Sequence, residues 1–385
     1  MLEVIGQRAQ HRADLDALLT LADELGDDTR RADAHLGGAL WAMFSADFAA
    51  MKASARLAMG CAAGADDHAM RLQAMRYFAS AHFRMGDWDA GQRLAHQCLE
   101  QARVVGLRDV EAFCTNLLGI IASRQRDPVA GLHWDEQTLA VWRHLGDRSQ
   151  EAISVGNIGE SWLELGEPTL ARRYLEEGAR LARACGNLIA RSAALGNLSV
   201  LERRLGNGEQ AVSLAGLAIA AAVATSAPEF EAIALQQLGD AQQTMGQHAA
   251  AARAFEAVQA LALRHKLPEP PDALAGLAGL ALTQGDVPSA LRHVLRVLEL
   301  DAEGAVAVRS LNPRRLALTC HRVLSSAGDP RAQAWLRRAH DELLAVAATI
   351  SDETLRHGFL NNIPEHRAIM AAWALHEQEL AADPG

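Results

Sequence analysis

Three clusters in the chain carry residue types that could do chemistry. Asp66-Asp67-His68 offers two carboxylates and an imidazole, a metal-ligand set; Cys320-His321 pairs a thiol with a base; Glu365-His366-Arg367 joins an acid, a base and a cation. Side chains adjacent on a helix do not converge on one point, so Asp66-Asp67-His68 reads as a helix cap rather than a metal site. Cys320-His321 lacks a third group to orient the imidazole, which leaves a buried thiol beside a surface ring. Glu365 follows Pro364 in the first turn of a helix, where a carboxylate suits the positive end of the macrodipole. A phosphate loop of the form GxxxxGK needs a lysine, and neither Lys52 nor Lys266 follows a glycine in that frame. HExxH is broken at His376-Glu377-Gln378-Glu379-Leu380, and GxSxG is absent. Cys61, Cys98, Cys114, Cys185 and Cys320 form no CxxC pair and fit small thiols in a reducing compartment. These residues predict no enzyme, no cofactor and no metal.

Composition narrows the partners. The net charge is −10, and the 37 basic residues include only Lys52 and Lys266 as lysines. Arginines spread among carboxylates do not make the concentrated basic surface that nucleic acid requires. The start, MLEVIGQRAQHR, has no apolar signal core, and the apolar run Ala211–Ala227 is short and alanine-rich, so the sequence predicts a cytoplasmic protein with no membrane contact.

The elements that must position any site are set by a step of 40 residues. The unit Glu151–Asn187 contains two amphipathic stretches joined at Leu165-Gly166-Glu167-Pro168 and closed by Gly186. Counting from Gly166 reaches Gly6, Ala46, Gly86, Arg126, Gly206 and Gly246, then drifts to Gly285 and Gly328. A second series, Gly26, Asp66, Gly106, Gly146, Gly186, Ser226 and Lys266, marks the ends of the second helices. Glycine at such points accepts the left-handed conformation that ends a helix, and the polar residue after it caps the next. A third series, Ala39, Ala79, Gly119, Gly159, Ser199, Gly239 and Gly279, keeps a small side chain in mid-helix. Its counterpart on the second helix runs Gly91, Gly131, Ala171, Ala211, Ala251 and Ala290. Glycine in mid-helix costs about 1 kcal/mol against alanine, so recurring small columns imply a helix packed against the backbone there.

A small residue in helix A, a Gly-Asp-type turn and an alanine early in helix B resemble the tetratricopeptide repeat. Its usual unit is about 34 residues; the longer step here is similar to a long-helix variant of bacterial signalling proteins. Gly156-Asn157-Ile158-Gly159 and Gly196-Asn197-Leu198-Ser199 are similar to the signature of that class. Trp162 alone keeps the aromatic expected three residues after the small column. The resemblance covers residues 7–350 and implies an all-α fold, a right-handed α-solenoid superhelix of antiparallel helix pairs. Three regions are expected: 1–27, an orphan second helix; 28–350, about eight helix pairs; and 351–385, capping helices opened by Asp352 and Pro364. The orphan helix exposes Leu15, Leu18, Leu19 and Ala22, which predicts that the chain is the C-terminal part of a longer protein. The start and the tail resemble the repeat region of large bacterial signal-transduction regulators, in which a cyclase-like or DNA-binding effector and a nucleotide-binding switch domain accompany the repeats.

In a solenoid of this class the first helices line a concave groove. The resemblance places its facing positions two before, one after and five after the small column. The candidate partner-binding residues are Tyr77, Arg84, Arg124, Asn157, Glu160, Glu164, Asn197, Arg204, Gln237 and Asp240. Asparagine and glutamine amides can pair with an extended peptide, and arginines with its carboxylates; Asn157 and Asn197 can equally serve to bond neighbouring helices. The expected function is a non-catalytic scaffold that binds a peptide or protein segment, or its own upstream domains. The alternative is a self-contained receptor whose superhelix closes on a small molecule or peptide.

Overall fold

A computed structural model describes residues 8–45 and 47–382. Every regular element among them is a helix. The chain separates into two compact units: residues up to Gln125 with Ala130–Asp147 in unit 1, and Arg126–Val129 with everything from Arg148 onward in unit 2. The division falls inside the stretch 28–350 that the sequence reads as one array.

Unit 1 contains α1 (Arg8–Leu25), α2 (Asp28–Phe44), α3 (Phe48–Gly64), α4 (His68–Arg84), α5 (Trp88–Val105), α6 (Arg108–Arg124) and most of α7 (Pro128–Leu145). Unit 2 continues with α8 (Arg148–Glu164), α9 (Pro168–Cys185), α10 (Leu188–Arg204), α11 (Gly208–Val223), α12 (Pro228–Thr244), α13 (His248–His265), α14 (Pro271–Thr283) and α15 (Val287–Ala302). It ends with the short α16 (Ala305–Arg309), then α17 (Pro313–Ser326), α18 (Ala332–Thr349), α19 (Glu353–Asn361) and α20 (Pro364–Ala382). In each unit consecutive helices pair through tight turns, the arrangement of tetratricopeptide-like helix hairpins.

The turns follow the sequence ruler where it can be read. Gly86, Gly166, Gly206, Gly246, Gly285 and Gly328 end first helices at φ between +67° and +88°. Where the ruler lands on another residue the backbone still turns left-handed: Asp66, Arg126, Ser226 and Lys266 have φ of +53° to +63°. Gly6 and Ala46 lie outside the described residues. Asp47, Asp67, Asp87, Asn187 and Asp286 then cap the following helices, each side chain accepting from a backbone N–H three residues on. Asp67 is therefore a cap, accepting from the Met70 N–H at 2.8 Å.

The small columns meet inside the pair α4–α5, where a Cβ added to Gly91 would stand 3.2 Å from the Ala79 carbonyl oxygen, and inside α10–α11. The Ser199 hydroxyl donates to the Ala211 carbonyl at 2.7 Å, joining one column to the other. Thr138 and Thr115 hydroxyls bridge α7 and α6 at 2.8 Å. A Cβ added to Gly159 would stand 2.7 Å from Leu175 Cγ and 2.9 Å from the Leu175 backbone nitrogen, so α9 rests on bare α8 backbone. The orphan face of α1 is covered in part by α2. Ala22 is fully buried, Leu15 lies against Gly37, and Leu18 and Leu19 are half-buried.

The contrast between packed and open glycines is testable. Gly159→Ala is expected to destabilise unit 2 by about 1–3 kcal/mol through overpacking. Gly216→Ala, in mid-α11 with nothing within 4 Å of the added carbon, should stabilise it by about 0.5–1 kcal/mol. Urea unfolding of the two variants checks both signs.

Candidate functional site

The ten candidate residues do not form one track. In unit 1, Tyr77 is a core residue and not an open contact: it is 6% exposed, with its ring edge-on to Phe113 at 5.6 Å and the Arg76 guanidinium over it at 4.9 Å. Arg84 and Arg124 are exposed near the ends of α4 and α6.

In unit 2, Asn157 is half-buried on α8 and Glu160 is exposed three residues on. The Asn197 side-chain amide on α10 donates to Glu160 Oε2 at 3.2 Å, so these two candidates meet. Gln237 packs against α10 at Gly196, where an added Cβ would collide with its amide. Tyr77, Asn197 and Gln237 all stand two residues before the small column, and each leans on an adjacent first helix. That position bonds helices together more than it opens to a partner.

Glu164, Arg204 and Asp240 belong to a charged network that the sequence reading missed. Arg204 donates to the Leu163 carbonyl at 2.9 Å and to Glu164 at 3.4 Å, while Arg314 of α17 stands 3.9 Å from the other Glu164 oxygen. Helices α8 and α17 are far apart in sequence, so the first helices of five successive pairs curve until the first and last share one carboxylate. Asp240 is ion-paired with Arg315, which also donates to Gln243 at 2.7 Å.

The last two helices complete this ring. Asn362 donates to the Gly166 carbonyl at 2.9 Å across 196 residues of sequence. Arg203 donates to Glu365 Oε1 at 2.9 Å, and Arg204 Nε lies 3.7 Å from Oε2. Glu365 is 7% exposed. Burial works to raise its pKa, but Arg203 and Arg204 prevail and hold it at about 2. Glu164 is likewise held below the ordinary range: burial pushes upward, and Arg204 and Arg314 outweigh it. The neighbouring His366 is fully enclosed and donates from Nδ1 to the Phe359 carbonyl at 2.6 Å. Burial and then Arg314 depress its pKa to about 4, so it is neutral at pH 7. Glu365-His366 is thus a structural joint, with the glutamate bound to two arginines beyond the helix-end role its position suggests. The doublets Arg203-Arg204 and Arg314-Arg315 were the available signal.

Cys320 is buried and its thiol pushed upward by burial, while His321 Nδ1 lies 3.1 Å from the Ala332 carbonyl. Cys98 and Cys114 are brought together between α5 and α6, which the sequence spacing does not reveal. No helix among the described residues is long and apolar enough to cross a membrane.

Beneath the ring is a cavity of about 330 Å³ walled by α12, α14, α17 and α20. Gln236, Asp240 and Asp272 meet on one side of it; Asp272 accepts from the Ser310 hydroxyl and from the backbone N–H groups of Leu311 and Asn312.

No family model matches the chain, and no curated protein does. Solved structures do. The Rap conjugation gene regulator of plasmid pLS20, in complex with the Phr* peptide, is 13% identical with a TM-score of 0.58, over 75% of this chain and 80% of that one. Aspartyl phosphate phosphatase F from Bacillus subtilis is 14% identical with a TM-score of 0.52, over 91% and 93%. A signal transduction ATPase with numerous domains and a tetratricopeptide repeat sensor, from Pyrococcus horikoshii, is 12% identical with a TM-score of 0.50, over 86% of this chain and 55% of that one. The chain shares the all-α helix-pair fold of these structures.

Two outcomes follow from the joint. Glu365→Leu leaves the Arg203 guanidinium buried without its carboxylate and Arg204 with Glu164 alone, and should cost about 3–5 kcal/mol in urea unfolding. His366 has a folded pKa of about 4 against an ordinary 6.5, so the unfolded state binds the extra proton. Stability is complete above pH 6.5 and is lost as pH falls from there towards 4. Glu365, lowered from 4.5 to about 2, contributes stability above 4.5 that is lost as pH falls towards 2. Thermal unfolding from pH 7.5 to 4 should show a shallower decline in His366→Gln than in the parent chain.

Proposed function

We propose that the chain is a non-catalytic scaffold that recognises a peptide or protein segment with the first helices of unit 2, as the sensor or assembly arm of a larger cytoplasmic bacterial regulator. The observation that carries this reading is the polar surface at Asn157, Glu160 and Asn197. Glu160 is exposed there, and the Asn197 amide holds it from the adjacent helix. A carboxylate positioned in this way can accept backbone N–H groups of an extended segment, and an amide carbonyl and NH₂ can pair with both backbone groups. Along α8 the surface begins about 10 Å from Glu164 at Asn157 and comes within about 6 Å, one turn, at Glu160; at Glu164 the inner face is instead bound up with arginines and the last helices.

The fold supports the same reading. One protein of similar fold is solved with a peptide and another carries its repeats as the sensor of a many-domain ATPase. A third is named a phosphatase. Against catalysis here stand a neutral histidine committed to a backbone carbonyl and a glutamate committed to two arginines. The surface is polar and has few aromatic anchors, which fits recognition of modest affinity.

The test selects peptides from a random displayed library on the purified chain and measures their affinity. Asn157→Ala combined with Asn197→Ala, and separately Glu160→Ala, should each weaken binding about tenfold, on the order of 1.4 kcal/mol. Undiminished binding by both variants sinks the assignment, and hydrolysis of an aspartyl phosphate by the purified chain overturns the non-catalytic part.

A further inference from the structure

We propose that the cleft among α5, α6 and α7 of unit 1 is a binding site for a compact carboxylate carrying a short apolar body. Its volume of about 290 Å³ lies close to the small end of ligand sites, which begin at about 300 Å³.

The polar wall sets one acid against two arginines. Glu111 is 5% exposed; its Oε1 accepts from Arg103 Nε at 2.9 Å and its Oε2 from Arg108 Nη1 at 2.6 Å. Burial pushes the Glu111 pKa upward, but the two guanidinium groups outweigh it and hold the carboxyl below its ordinary range, so it is ionised at pH 7. Among the described residues it is the one carboxylate lining the cleft. One negative charge thus faces two positive ones, and both of its oxygens have partners. The arginines retain donors. A guanidinium has five N–H groups; Arg103 uses two, the second on Gln137 Oε1 at 2.6 Å, and Arg108 uses one. Their side chains are 45% and 52% exposed, and none of their nitrogens is buried without a partner, so the remaining N–H groups are open to a ligand.

Acceptors are scarce by comparison. Gln137 Oε1 is taken by Arg103, and Gln137 Nε2 lies 2.7 Å from His133 Nε2. His144 lines the cleft from an exposed position, and a neutral ring offers one donor with one acceptor. A cation entering the cleft meets two guanidinium groups and a carboxylate that both of them already hold. An anion meets N–H donors from α5 and from α6, in the planar fork that suits a carboxylate. Two arginines less one glutamate leave a single positive charge, which a monocarboxylate balances and a doubly charged phosphate exceeds. The remaining wall is Ala140 and the buried Val141. It gives a hydrocarbon body apolar contact and offers a second polar group nothing.

This goes beyond the peptide reading, whose residues Asn157, Glu160 and Asn197 belong to unit 2. The carboxylate can arrive on a free organic acid or on an acidic side chain. The experiment is isothermal titration of the full chain at low salt with pentanoate, with the blocked tripeptide Ac-Ala-Glu-Ala-NH₂, with 1-pentanol, with pentylammonium and with inorganic phosphate. Saturable pentanoate binding is expected, absent for the alcohol and the ammonium ion and tighter than that of phosphate. Arg108→Gln, at a half-exposed side chain, should weaken it about tenfold, the size of one hydrogen bond to a charged group. Ala140→Asp, at an exposed position, sets a fixed carboxylate in the cleft and should weaken it at least as much. Binding of the tripeptide but not of pentanoate, with the same losses in both variants, supports the site and assigns it to a peptide side chain. No saturable binding of either carboxylate, undiminished binding by either variant, or preference for phosphate, the alcohol or the ammonium ion overturns the proposal. Selection of library peptides by the same Arg108→Gln protein reports on the unit 2 surface and keeps the two readings apart.

Discussion

The close approach of two helix backbones at the small columns is the constraint on which the rest depends. Where the Ser199 hydroxyl reaches the Ala211 carbonyl, and where Leu175 of α9 lies on bare backbone at Gly159, one of the two helices contributes little or no side chain to the gap. Each pair is thereby a unit of nearly fixed geometry. Stacking such units with the same turn repeats one rotation per pair, and curvature accumulates without any residue encoding it directly. The inner ring of unit 2 is the sum: Glu164 of its first pair and Arg314 of its last stand within ion-pair distance.

The ring carries more charge than a core ordinarily tolerates. Arg203, Arg204, Arg314 and Arg315 face Glu164, Asp240 and Glu365, and side chains as enclosed as Arg203 and Glu365 are stable only together, since removing one leaves the other buried and unpaired. The arginines take their partners from distant pairs, so the network fixes curvature as well as neutralising charge. Asn362 on the Gly166 carbonyl and Arg314 over the Phe359 ring at 5.3 Å act in the same direction. The cavity beneath inherits its walls from this arrangement, α20 closing what α12, α14 and α17 leave open.

The fold was legible because its demands are local. A left-handed turn every 40 residues and a small residue at each crossing leave marks that composition alone would not. The turn outweighs the residue: Lys266 adopts φ of +55° in the place where Gly26, Gly106, Gly146 and Gly186 stand in other repeats. The candidate site was only partly legible, for a physical reason. Whether a position on a first helix faces the partner side or the next helix depends on how far the pairs rotate. Tyr77 therefore went to the core on Phe113, Gln237 to the α10 backbone, and Glu160 to the open face. The partners of Glu365 were illegible because Arg203 lies 162 residues earlier. No sequence window joins them, and only accumulated curvature brings them together.

The bond from Asn362 to Gly166 also bears on how unit 2 comes to be folded. Most contacts in a repeat array are between neighbours, and arrays of that kind assemble quickly and can fray from either end. A clasp closing a loop of 196 residues carries a loop-entropy cost that neighbouring contacts do not, and it can form only after the intervening pairs have set their curvature. The first and last pairs of unit 2 are thereby joined directly, so that opening either one breaks contacts of the other. Through these long-range bonds a string of local hairpins is tied end to end.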